Sequence, residues 1–231
     1  MEYLEFEQIL SAKRIRRYKD AANGDTRKAM ALYRYNLRLS QEMFTIVSCF
    51  EVALRNAIDS LLVPSLGEDW LKDSVQDNGI FSNGRMNETR KIIEKAYNRL
   101  NRQGNYSHSK LIAEMEFGVW KYMYSSLQYR ATGQCLLRAF PNKPRSSAAV
   151  QYNNTYIFNE LDKVNSLRNR IAHHEPICFR LHEAEIDTSY IINEYQKIQT
   201  LFSWMGIDSH SMLYGLDHVQ SVCAKINSLK V

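Results

Sequence analysis

Four prolines and nine glycines in 231 residues leave this chain few places to interrupt a helix. Proline removes an amide donor and glycine costs conformational entropy, so both mark where helices stop. Here Pro64, Pro141, Pro144 and Pro176, with Gly24, Gly67, Gly84, Gly104 and Gly206, fall between segments whose apolar residues recur every three to four positions. That pattern specifies an all-α protein. No strand pair, internal repeat or low-complexity tract competes with it.

The breakers divide the chain into expected helices. A first runs over about residues 2–22 and stops at Asn23-Gly24; Asp25 then caps a very long second one reaching nearly to Pro64. Its apolar positions Met43, Ile46, Val47, Phe50, Ala53, Leu54, Ala57, Ile58, Leu61 and Leu62 form the stripe that one helix presents to a core. Residues 65–85 read as a loop with a helical turn at Trp70-Leu71, and Asn87 opens a basic helix to about Arg102. Helices follow over about 109–127 and 133–140, then a long one over 148–174 carrying Ile157, Leu161, Val164, Leu167 and Ile171, closed by Pro176. Two more, near 187–204 and 211–229, complete the chain.

Composition excludes several classes. No run approaches 18 apolar residues, so no transmembrane helix is expected, and the acidic N-terminus lacks the order of a secretion signal. Cys49, Cys135, Cys178 and Cys223 stand far apart, which fits reduced core thiols in a cytoplasmic protein better than a disulfide framework or zinc site. No Gly-rich phosphate loop occurs, and no cofactor is expected. Net charge is +5, unevenly spread: the first 177 residues hold 26 Lys/Arg against 19 Asp/Glu, whereas the remainder holds four against six. A basic body is compatible with a polyanionic partner.

The stretch Leu167-Arg168-Asn169-Arg170-Ile171-Ala172-His173-His174-Glu175-Pro176 carries the densest chemistry. Asn169 and His173, four apart, share one helix face. Arg168 and His173, five apart, stand roughly 140° around a regular helix, so they meet at one phosphate only if the last turn is distorted or two copies of the helix meet. Pro176 favours local unwinding before it. Imidazole exchanges a proton near neutral pH, and guanidinium is a permanent planar cation matched to two phosphate oxygens. Those are the groups that metal-free RNA transesterification needs. A helix C-terminus also carries Lys, Arg and His simply to satisfy terminal carbonyls, and His174 fits that role. The His173-His174 pair lacks a third ligand at useful spacing, so no metal is expected.

This Arg-x4-His arrangement with an adjoining Asn169 resembles the catalytic motif of HEPN domains, all-helical modules that cleave RNA without a metal. The surrounding chain resembles the Abi-like (abortive-infection phage-resistance) proteins of bacteria: Phe50–Asp59, Ala113–Trp120 and the 167–176 stretch are similar to the family's motifs in order, and Tyr33 and Asn36 fit a Tyr-x-x-Asn pattern before them. The resemblance implies one HEPN-like helical bundle over residues 1–231. A basic N-terminal helical region, about 1–105, contributes to the bundle, with a motif helix over 148–175 and peripheral C-terminal helices over 187–229. It also implies an endoribonuclease with Arg168, Asn169 and His173 as catalytic residues, supported by Glu51, Arg55, Asn56 and His174. Because such sites are composite and the chain holds one motif, a homodimer is implied. An antitoxin protein or a regulatory structured RNA is the further partner this class allows, and no membrane is involved. One departure stands at Glu175, where some HEPN toxins carry a tyrosine that a partner enzyme modifies.

Glu51 and Arg55 are placed to form a local ion pair, and their neighbouring apolar stripe gives them a part-buried, positioning role. Gly118 inside a helix implies close packing there, and Phe117 and Trp120 read as core rather than base-stacking residues. RNA-binding candidates are Arg14, Arg16 and Arg17 in the run Lys13–Lys19, then Arg27, Arg34 and Arg38 on one helix face, Lys91 and Lys95 on another, and Arg170. The alternative from another class is a non-catalytic RNA-binding or protein-interaction module on the same scaffold.

Overall fold

The computed structural model describes residues 1–230. Two-thirds of the chain is helical and no sheet forms among the described residues. The helices are α1 (Tyr3–Leu10), α2 (Ala12–Ala21), α3 (Thr26–Leu66), α4 (Trp70–Asp73), α5 (Asn87–Arg102), α6 (His108–Glu114), α7 (Phe117–Tyr122), α8 (Ser126–Ala131), α9 (Asn154–Ala172), α10 (Ser189–Trp204), α11 (Ser209–Met212) and α12 (Val219–Asn227). They group into two compact units. One comprises Met1–Ser48, Ser166–Thr200 and the chain from Asp208; the other comprises Cys49–Asn165 and Leu201–Ile207. The long helices α3 and α9 each contribute residues to both.

Local chemistry explains where the elements begin and end. Asp25 Oδ1 accepts from the amides of Arg27 (2.9 Å) and Lys28 (3.0 Å), capping α3. Pro64 lies in the last turn of α3 and does not stop it; the helix closes only at Gly67, whose φ of +92° only glycine adopts freely. The first helix expected over 2–22 is broken instead at Ser11, which sits at φ 72° and turns its hydroxyl to the Arg14 amide (3.4 Å). The break lets Phe6 pack edge-on against Tyr33, at 5.4 Å between centroids.

The helix expected over 109–127 is likewise divided. Met115 and Glu116 are extended between α6 and α7. The one over 133–140 is a 3-10 turn, Leu136–Ala139. The motif helix starts at Asn154 rather than 148, and the last expected helix is divided into α11 and α12 around Gly215.

In the first unit, Phe6 of α1 and Tyr18 of α2 pack on Tyr33 of α3, and Ile15, Leu32 and Leu39 are buried. Tyr18 joins Tyr33 (5.1 Å) to Phe179 (5.1 Å), which lies on a turn closed by an antiparallel bridge between Phe179 and Ile186. Leu167 and Ile171 of α9 and Ile191 and Ile198 of α10 are buried in the same unit. The second unit buries Phe50, Leu54, Ile58 and Leu62 of α3 with Phe117, Trp120, Tyr124, Ile157 and Leu161. Phe50 meets Phe117 at 6.3 Å and Phe202 edge-on at 5.3 Å. Asp59 ties this unit together by accepting from Trp70 Nε1 (2.7 Å) and facing His108 Nε2 (2.8 Å).

All four cysteines are free. Cys178 and Cys223 are buried, and burial pushes the Cys178 thiol up to about 12. Gly118 does not mark a close approach: a Cβ there would meet nothing within 4 Å. It faces a groove lined by Ile92, Lys95, Met115 and Tyr122 in the second unit, so its missing side chain widens a surface cleft instead of admitting a neighbouring helix.

Candidate functional site

The end of α9 is a regular helix stop. The amide of His173 still donates to Asn169 (2.9 Å), so the last turn is intact and Pro176 does not unwind it. His174 then takes φ 56°, its amide donates to Ile171 (3.0 Å), and the Glu175 amide donates to Arg170 (2.9 Å). That pair of bonds is the Schellman closure, in which the residue past the cap turns left-handed; glycine usually stands there, and histidine tolerates it. The expected distortion of the last turn is therefore absent. Arg168 remains roughly 140° from His173 around the helix, and its guanidinium donates to Asn169 Oδ1 at 3.5 Å.

Arg170 locks the turn that follows. Its Nε donates to Glu175 Oε2 (3.3 Å), its Nη2 to the Pro176 carbonyl (2.9 Å), and its guanidinium lies 5.0 Å over the Tyr190 ring. Further on, the buried Asn36 side chain of α3 accepts from the Ile177 amide (2.9 Å). A buried backbone amide in irregular chain needs an acceptor, and Asn36 supplies one to Ile177 inside the core. This gives the Tyr33–Asn36 pattern a physical role: Tyr33 seats α1 and α2, and Asn36 anchors the segment after the motif.

His173 and His174 are exposed at this stop. With Ser11, Lys13, Arg14, Arg17 and Tyr18 of the α2 region, and with Glu175 and Pro176, they line one open pocket of about 460 Å³. Arg14 Nη1 donates to the His174 carbonyl (3.4 Å), bridging residues 160 positions apart in the chain. Arg17 is engaged differently. Its Nε and Nη2 donate to the carbonyls of Glu183 (2.7 Å) and Arg180 (2.6 Å), and its guanidinium lies 4.7 Å over the Phe179 ring. Burial moves its pKa downward. Arg17 therefore pins the turn after the motif more than it faces solvent.

The structure thus brings Arg14, Arg17, His173 and His174 together and leaves the other candidates elsewhere. Arg16 points away and meets Asp20 at 3.7 Å. Arg27, Arg34 and Arg38 are exposed on the first half of α3; Arg34 lies 5.5 Å over the Phe6 ring, and Arg38 is bound to buried Glu42 (2.7 Å). Glu51, Arg55 and Asn56 stand on the second half of α3 in the other unit, where Glu51 and Arg55 are half-buried. Lys91 and Lys95 lie on α5 of that unit, with Lys91 facing Glu88 at 3.3 Å. Lys13 lines the pocket although it entered the sequence reading only as part of a basic run; nothing local distinguished it from its neighbours.

No group of three or more His, Cys, Asp or Glu residues that could hold a metal ion occurs among the described residues. No described helix is long and apolar enough to cross a membrane. Residues 3–178 match the family model described as Abi-like protein. The chain belongs to the Abi-like family. The match contains α1 and α2, all of α3 and the whole 167–176 motif of this Abi-like protein, and it ends at Cys178, just after the turn that carries His173. No curated protein matches the chain. No solved structure matches it.

Proposed function

We propose that this Abi-like protein is a metal-independent endoribonuclease of the HEPN type, acting in bacterial phage defence or as a toxin. The observation that carries the reading is the exposed His173 imidazole at the end of α9, opening into a pocket with Lys13 and Arg14. In this reaction the 2′-oxygen attacks the adjacent phosphorus as its proton is removed, the P–O5′ bond breaks, and the 5′-oxygen receives a proton. Imidazole performs both transfers near neutral pH. His173 is the acid/base, Arg168 the ligand of the phosphorane charge and Asn169 the group that orients the imidazole. The products carry 2′,3′-cyclic phosphate and 5′-hydroxyl ends. Because Arg168 and His173 diverge on an undistorted helix, the catalytic pair comes from two copies of the chain, making the active form a homodimer. An antitoxin protein or a regulatory RNA is the partner that would restrain such an activity.

The same divergence favours a second reading if the chain acts alone: a module that binds RNA without cutting it. One experiment separates them. The parent and His173→Ala proteins are incubated with a mixed RNA pool in EDTA, with binding followed in parallel. Cleavage by the parent, its loss in the variant and retained binding are the expected results. Binding by both with cleavage by neither overturns the ribonuclease reading, and 5′-phosphate ends overturn the mechanism.

A further inference from the structure

The pocket at His173 contains three cations and one carboxylate, and they are not equally available. Arg17 gives its Nε and Nη2 to backbone carbonyls, and the Glu175 carboxylate is held by Arg170 at 3.3 Å. Lys13 and Arg14 have no acidic partner among the described residues. Elsewhere in the same helix the exposed Arg16 does find one. Two uncompensated cations in a concave surface beside an exposed imidazole form a place where an anion replaces the missing counter-charge. Their helix is firmly seated, since Ile15 and Tyr18 are buried and Tyr18 packs edge-on against both Tyr33 and Phe179. The cations are thus presented in advance and not gathered on binding.

We propose that Lys13 and Arg14 are the ligands of the substrate phosphate at the His173 site, supplied by the same protomer as the imidazole. The proposal rests on the ribonuclease reading for what His173 does, but the phosphate site itself stands on the pocket. A phosphodiester of single-stranded RNA enters between the first turn of α2 and the end of α9. Arg14 turns a guanidinium edge to its oxygens, and Lys13 adds a point charge. Arg168, on another side of α9, is then free to act on a partner copy.

The test uses a short fluorescein-labelled single-stranded RNA in EDTA, with binding followed by anisotropy over a salt series and cleavage followed against RNA concentration. The proteins compared are the parent, Lys13→Gln/Arg14→Gln, Arg14→Lys, and a Lys28→Gln/Lys225→Gln control of equal net charge. The pocket double variant is expected to bind about tenfold or more weakly, with a log K against log salt slope smaller by roughly one to two. Its cleavage recovers at high RNA, a KM effect. Arg14→Lys keeps most of the affinity and the control keeps all of it. Equal loss in the control overturns the proposal, as does a pocket variant that binds and cleaves like the parent. Weakened binding by the pocket variant when the parent cleaves nothing supports the phosphate site and overturns the ribonuclease reading alone.

Discussion

His174 combines a backbone role with an exposed side chain. Its φ of 56° makes it the left-handed cap of α9, while its side chain stays exposed beside His173. A side chain in that region costs about 1–2 kcal/mol, part of which glycine returns to the unfolded chain as entropy. His174→Gly is therefore expected to stabilise the protein by about 0.5–1 kcal/mol, read as a higher urea midpoint at unchanged slope. A lower midpoint would mean that the imidazole makes a contact worth more than the strain. Arg17 teaches the converse. Its charge invited an RNA-binding assignment, yet two of its donors close on carbonyls of the turn that follows the motif.

Elements are held in register here by side chains that cap or bridge, and these were only partly legible in advance. Asn36 is 3% exposed and accepts the Ile177 amide. Asn36→Ala strands that buried donor, a change that costs about 1–3 kcal/mol. Urea unfolding should show the loss, and hydrogen exchange should accelerate most at residues 177–179; unchanged exchange there would deny the tether. Asp187 lies two residues before α10, and its Oδ1 accepts from the Ser189 hydroxyl (2.6 Å) and amide (2.9 Å) at the helix start. Those bonds, with Arg180 nearby, hold the carboxyl below its ordinary value. Asp69 is held down in the same way, first by Tyr106 and then by Lys72. A depressed folded pKa contributes stability above the unfolded value, and that contribution is lost as pH falls through the folded one. Stability should decline from about pH 5 downward. Asp187→Asn should lose less of it on acidification than the parent, and an equal acid loss would show that the cap does not titrate.

For the whole molecule, the decisive property of the proposed enzyme is that its site spans two copies. If Arg168 of one protomer serves His173 of the other, Arg168→Ala and His173→Ala are each inactive, but mixing them rebuilds one intact site in each heterodimer. Random pairing at equal amounts then restores about a quarter of the parental cleavage, because half of the dimers carry one good site of two. Continued inactivity after subunit exchange would place the whole catalytic set within one chain. The family assignment is compatible with either result, since it rests on the match over residues 3–178 and not on the arrangement of a dimer.

The sequence by itself determined the fold class, most helix positions and the buried faces. Met43, Ile46, Val47, Phe50, Leu54, Ile58 and Leu62 are all in the core, as are Ile157, Leu161, Val164, Leu167 and Ile171. It did so because helical hydrogen bonds and apolar periodicity are local properties of the chain. The motif at 167–176 was equally plain, being contiguous. What only the tertiary structure decided is which cations meet His173. Lys13 and Arg14 reach it from about 160 positions away because α1 breaks from α2 at Ser11 and Tyr18 wedges between Tyr33 and Phe179. Periodicity states which face a helix buries but not against whom. Likewise, the regular end of α9 followed from bonds among Arg170, Glu175, Pro176 and Asn36, and the proline alone had pointed to an unwound turn.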